Sequence, residues 1–127
     1  MNTLLAVAAG GAIGAGARHL FGLQMLRLFG PNFPWGTFGV NLAGSLLMGI
    51  LAGLFALKLD LSPELRSFLT TGILGGFTTF SAFSLDAVNM LERGDTGLAF
   101  AYMGSSVVLG VGALFLGLVI IRIVFSA

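Results

Sequence analysis

The chain has 127 residues, of which 57% are hydrophobic and 9% charged, against about 25% charged in an ordinary soluble domain, and this reads as an all-α integral membrane protein. The absence of cysteine and the single histidine, His19, exclude a disulfide framework, a thiolate metal site and a paired-imidazole site. A formal charge of +1 gives no electrostatic footprint for nucleic acid.

A spanning helix needs about 20 mostly apolar residues. Four segments qualify, at 3–27, 35–57, 64–91 and 98–125, so residues 1–127 form a single four-helix transmembrane domain. The first span is preceded by no basic region, and Arg18 follows the small residues Ala15, Gly16 and Ala17 at once; cleavage there as a signal peptide is not expected. The run Gly30-Pro31-Asn32-Phe33-Pro34 ends span one, because proline cannot continue a helix. In span two, Thr37, Asn41 and Ser45 recur every four residues, which puts them on one helix face, and Gly49 and Gly53 extend the row. Hydroxyls and glycines of this kind join helices in membranes. The Asn41 amide, with several partners to find near mid-membrane, instead marks a path.

The next break, Lys58-Leu59-Asp60-Leu61-Ser62-Pro63, sets Ser62 as an N-cap with Pro63 at the first helical position. Span three then holds Gly75-Gly76-Phe77-Thr78-Thr79-Phe80-Ser81-Ala82-Phe83-Ser84. The two glycines fall about 11 residues into the span, roughly 17 Å at 1.5 Å per residue and near the middle of a ~30 Å core. Two readings stand: a helix broken there, with freed carbonyls that need partners, or a continuous helix that is merely thin. Phe77, Phe80 and Phe83 repeat every three residues, with Ser81 and Ser84 beside them, either as a lining or as bundle packing. Ring edges turned to a path favour an anion and ring faces a cation. Glu92-Arg93-Gly94-Asp95 is the third polar break. Span four carries Tyr102, Ser105 and Ser106 in its first third, and after them only Arg122 and Ser126 are polar. Tyr102 is a polar-track residue or an interfacial anchor.

With four spans, one face of the membrane holds Lys58, Arg66 and Arg122 and the other Arg18, Arg27 and Arg93. This balance leaves no basic bias to orient the chain. Insertion in both directions would permit an antiparallel homodimer with its two-fold axis in the membrane plane. Coupled pumps use a titratable carboxylate at depth, whereas here only Asp86, near the end of span three, is a candidate. No Ser-His-Asp or metal-ligand set is legible, so an enzyme is not expected. Passive conduction remains.

The motifs resemble those of the small bacterial fluoride channels of the CrcB or Fluc type, along essentially the whole chain. Gly10-Gly11-Ala12-Ile13-Gly14-Ala15-Gly16-Ala17-Arg18 is similar to the family's first-helix pattern, with His19 where tyrosine is frequent. Gly36-Thr37-Phe38-Gly39-Val40-Asn41-Leu42-Ala43-Gly44-Ser45 resembles its second-helix signature, and Gly75 to Ser84 its most specific run. The resemblance implies a dual-topology antiparallel homodimer with two pores and a third helix broken near mid-membrane. It implies that Phe80 and Phe83 turn ring edges toward fluoride and that Asn41 lies on the path. Thr79, Ser81, Ser84, Tyr102, Ser105 and Ser106 would supply polar contacts, and Arg18 either a vestibule charge or a purely structural contact. It also implies a structural sodium ion on the two-fold axis, held by the backbone carbonyls of Gly75 and Thr78 from both subunits. Two departures stand out: Ala82, where threonine is frequent, and Asp86, where glutamate is frequent.

The expected function is therefore passive, fluoride-selective export across the bacterial inner membrane, giving fluoride resistance. The expected partners are fluoride, a second copy of the chain and the lipid bilayer. The alternatives are a four-helix secondary transporter of the small multidrug type and a non-conducting scaffold or lysis protein.

Overall fold

Punctuation in the sequence sets the ends of the helices. The computed structural model describes residues 2–57 and 60–126, and Lys58, one of the charges in the loop balance, lies outside them together with Leu59. Helix α1 (Asn2–Phe29) stops where Gly30 takes φ +76, a left-handed conformation that costs glycine little. Its N–H closes the helix end on Leu26 O at 2.9 Å. Helix α2 (Trp35–Ala56) follows the Pro-rich turn. Ser62 caps the next rod as its sequence predicts, accepting from the Leu65 N–H at 3.2 Å with Pro63 at the first helical position. Gly94, at φ +87, turns the chain between the last two rods.

The third rod is composite. It begins with α3 (Pro63–Ser67), continues as a π-helical segment over Phe68–Leu74, and narrows again in α4 (Gly75–Phe77). Thr78 (φ −89, ψ 159) and Thr79 (φ −152, ψ 123) are extended, and α5 (Phe80–Glu92) follows. Thr79 acts as the N-cap of α5, its hydroxyl accepting from the Ala82 N–H at 3.2 Å. Helix α6 (Thr96–Val124) completes the bundle. Among the described residues, four helical stretches are long and apolar enough to cross a membrane: Asn2–Phe29, Trp35–Ala56, Pro63–Glu92 and Thr96–Val124.

Small residues decide how the rods pack, since lipid gives apolar side chains no reason to prefer one another. α2 lies chiefly on α6, and α1 on the π-helical segment and α4. A Cβ at Gly117 would meet Leu46 O at 2.5 Å, and one at Gly10 would meet Phe68 O at 2.6 Å. Helix backbones therefore touch at both seams. The buried cluster Ala87, Met90, Ala99 and Tyr102 joins α5 to α6, with Phe33, Phe38, Phe83 and Met103 packed around it. Most large apolar side chains instead face outward, among them Leu20, Val108, Phe115 and Ile123, as a chain immersed in lipid or pressed against another copy allows.

Candidate functional site

The polar residues converge where the third rod is extended. In an unbroken helix the Thr79 N–H would bond to the Gly75 carbonyl four residues earlier. Here it donates to Asn41 Oδ1 at 2.8 Å, while Asn41 Nδ2 donates to Thr79 O at 3.0 Å. The Asn41 amide thus pairs with the Thr79 backbone much as a neighbouring strand would. Thr78 turns inward along its own helix, its hydroxyl donating to Leu74 O at 2.9 Å, the same carbonyl that takes the Thr78 N–H at 3.0 Å. The small face of Gly44 on α2 admits the Thr78 methyl group.

A cleft of about 350 Å³ opens on one side of this junction. It gathers Asn41, Gly75, Thr78, Thr79, Phe80, Phe83 and Ser106, and its apolar walls include Met48 and Leu114. The rings of Phe80 and Phe83 sit 5.7 Å apart at 42°. Phe80 is 79% exposed, so its ring projects away from its own chain. Ser106 Oγ is buried and has no hydrogen-bond partner among the described residues; its hydroxyl has unused capacity beside the cleft, and a buried polar atom left so costs about 1–3 kcal/mol.

A second cleft, about 460 Å³, lies on the side of the 30–34 turn. Arg18, His19, Thr37, Ala82, Asp86, Asn89 and Arg93 line it, and Thr79 lines both clefts. Ala82 therefore stands with Arg18 and not with the two phenylalanines. Tyr102, fully buried, donates its hydroxyl to Asp86 Oδ2 at 3.2 Å. Its ring meets Phe33 edge-on at 5.3 Å and Phe83 at 5.1 Å, linking the carboxylate to the phenylalanine pair through one aromatic cluster.

Other candidate residues are placed differently. Ser84 Oγ donates to Phe80 O at 3.0 Å and Ser105 Oγ to Ala101 O at 2.6 Å, each within its own helix. Ser81 is exposed, with its hydroxyl 3.4 Å from that of Thr79. Phe77 does not share a row with Phe80 and Phe83: it precedes the two extended threonines, which break the three-residue periodicity, and packs edge-on against Phe21 at 6.2 Å and 79°.

Arg18 is the residue whose position composition did not convey. Counted among the loop charges, it instead lies well inside α1, and its Nε donates to Gly76 O at 3.0 Å, midway along the third rod. The spacing held a signal, because Gly10, Gly14 and Arg18 recur every four residues and share a helix face. That face is the one pressed on span three, where Gly10 meets Phe68 and Gly14 meets Ile73.

The carbonyls of Gly75 and Thr78 suit a hard cation, since they are neutral oxygen donors. Gly75 O has lost its helical partner to Asn41, and among the described residues a Cβ at Gly75 would find only Thr70 O, at 3.6 Å. The glycine thus opens onto the outer surface. Two oxygens from one chain fall short of a full coordination shell.

Four membrane-length helices, with one cleft beside the extended threonines of the third rod and another on the side of the 30–34 turn, define a small multi-pass membrane protein. A family model described as CrcB-like protein, Camphor Resistance (CrcB), matches residues 5–118. The chain is 57% identical over 127 residues to the Fluoride-specific ion channel FluC of Hyphomonas neptunium, covering 99% of this chain and 100% of that one. It is 55% identical over 120 residues to Fluoride-specific ion channel FluC 1 of Nitrobacter hamburgensis, covering 94% of this chain and 95% of that one. The protein of the same description from Agrobacterium fabrum is 53% identical over 125 residues, 98% of this chain and 100% of the other. The chain belongs to the CrcB-like family.

Proposed function

We propose that this protein is a fluoride-selective channel, and not an enzyme, that lets fluoride leave the cytoplasm passively across the bacterial inner membrane. The observation that carries this reading is the cleft that brings Asn41, Thr79, Phe80, Phe83 and the unpartnered Ser106 hydroxyl together beside the extended threonines. Identity of 53% to 57% with proteins named fluoride-specific ion channels supports the same conclusion.

Fluoride is small and strongly hydrated, so a narrow path admits it only where donors replace its water closely. Amide and hydroxyl hydrogens do this, and the positive edges of phenylalanine rings add an apolar wall that still attracts an anion. Ser106 Oγ, the second Nδ2 hydrogen of Asn41 and the edges of Phe80 and Phe83 are the groups assigned to the ion. The hydroxyls of Ser81, Ser84 and Ser105, with Thr79 and Tyr102, are assigned to a polar track, and Arg18 contributes positive charge at its cleft. Ser84 and Ser105 would have to turn from their own helix carbonyls to serve it.

The functional unit is an antiparallel, dual-topology homodimer with two pores and a third helix broken at Thr78 and Thr79. The exposed ring of Phe80 and the open face of Gly75 favour a second copy at this surface. A sodium ion on the dimer axis would be held by the Gly75 and Thr78 carbonyls of both copies, giving the freed oxygens a partner.

Efflux from proteoliposomes, read with a fluoride electrode, tests the function. Fluoride should leave the vesicles while chloride stays; equal fluxes, or none, would overturn the assignment. Phe80→Ile and Phe83→Ile should each cut fluoride flux sharply in a protein that still runs as a dimer.

A further inference from the structure

A helix does not open at two threonines by default, because an unbroken helix satisfies every carbonyl at no cost in buried polar groups. Something outside the third rod must therefore compensate the opening. Two side chains do so from two different helices. From α2, the Asn41 amide takes both the N–H and the C=O of Thr79, at 2.8 and 3.0 Å. From α1, Arg18 Nε takes the carbonyl of Gly76 at 3.0 Å.

We infer that Arg18 and Asn41 form a two-point clamp that holds the third rod open and selects which of its carbonyls stay free for a cation. Gly76 O and Thr79 O are each tied to a side chain, and Gly75 O is released because its N–H partner is diverted to Asn41 Oδ1. Both clamp residues are thus positioning residues. Asn41 keeps one Nδ2 hydrogen for the path, and Arg18 keeps its Nη groups for the cleft. The positive charge of Arg18 on Gly76 O also disfavours a cation at that carbonyl, in favour of the Gly75 and Thr78 carbonyls. The assignment to a cation rests on the sodium proposed above; the clamp itself rests on the three hydrogen bonds.

Two measurements on the full-length, detergent-purified protein separate these. Backbone amide hydrogen exchange over residues 75–80 should be slow in the native protein. It should accelerate about tenfold or more in Asn41→Leu and in Arg18→Met, as the loss of these half-buried hydrogen bonds requires. The melting temperature should rise with sodium chloride more than with N-methylglucamine chloride, and that difference should vanish in both variants. Phe83→Ile, outside the clamp, should lose flux yet keep native exchange and the native sodium effect. Accelerated exchange with no sodium effect in the native protein would uphold the clamp and sink the cation. Native exchange in Asn41→Leu and Arg18→Met would overturn the clamp. Should Asn41→Leu fail to assemble, Asn41→Asp decides, because its carboxylate keeps an acceptor for the Thr79 N–H while losing the amide donor to Thr79 O. It should retain slow exchange at the Thr79 amide, and accelerated exchange there would overturn the clamp.

Discussion

Removing one oxygen atom, in Tyr102→Phe, isolates the bond between the aromatic cluster and Asp86. The substitution leaves the ring and its contacts with Phe33 at 5.3 Å and Phe83 at 5.1 Å, and takes away only the hydroxyl that donates to Asp86 Oδ2. Hydrogen bonds to charged groups contribute about 1.5–3 kcal/mol in soluble proteins, whereas double-mutant cycles across membrane helices average about 0.6 with a maximum of about 1.7. Two features place this bond. Tyr102 is fully buried, so water does not replace its partner at that end. Asp86 lines a cleft of about 460 Å³ that admits water to the carboxylate, and the 3.2 Å separation is long for a hydroxyl donor. The coupling should therefore come to about 1 kcal/mol, between the membrane mean and the soluble values. The assay is a double-mutant cycle of Tyr102→Phe and Asp86→Ala, read by reversible unfolding of the purified protein in mixed micelles. Additive effects within about 0.3 kcal/mol would show that the two groups do not interact, and the reasoning from this geometry would fail.

Gly117→Ala should destabilise the α2–α6 seam by at least about 1–3 kcal/mol, because its Cβ would meet Leu46 O at 2.5 Å and Ile50 N at 2.7 Å, both backbone atoms. Gly112→Ala, with nothing among the described residues within 4 Å, should be neutral or slightly stabilising; equal melting temperatures for the two variants would contradict tight packing at Gly117. Ser62→Ala should lower the unfolding free energy by about 1 kcal/mol through loss of the cap on the Leu65 N–H, with no change in fluoride flux. Asp95→Asn should shift stability by less than about 1 kcal/mol, because the Arg93–Asp95 pair is exposed, at 53% and 52%; a melting shift of many degrees would show that this pair does more than sit in solvent.

Much of the architecture was legible because it follows from local chemistry. Hydropathy marks the four spans, since a lipid-crossing segment must be both helical and apolar. Gly30, Ser62, Pro63 and Gly94 mark the ends, each through a backbone preference of its own. The row Thr37, Asn41, Ser45 gave the face of α2 that the site uses, and two of the three line the cleft with Phe80 and Phe83. Periodicity failed at Phe77, where the three-residue repeat runs across two extended residues that do not obey it.

What tertiary structure alone decided is who satisfies whom. The four-residue spacing from Gly10 and Gly14 puts Arg18 on a packed face, but nothing local names Gly76 O as its partner, which lies 58 residues away. Likewise the Asn41 amide could have served any helix in the bundle until packing through Gly44 set it beside Thr79. The sequence by itself determined the membrane, the number of rods and their ends, all of which depend on neighbours along the chain. The conformation at Thr78 and Thr79 depends on donors and acceptors from α1 and α2, and in a medium without water those partners exist only once the helices have packed.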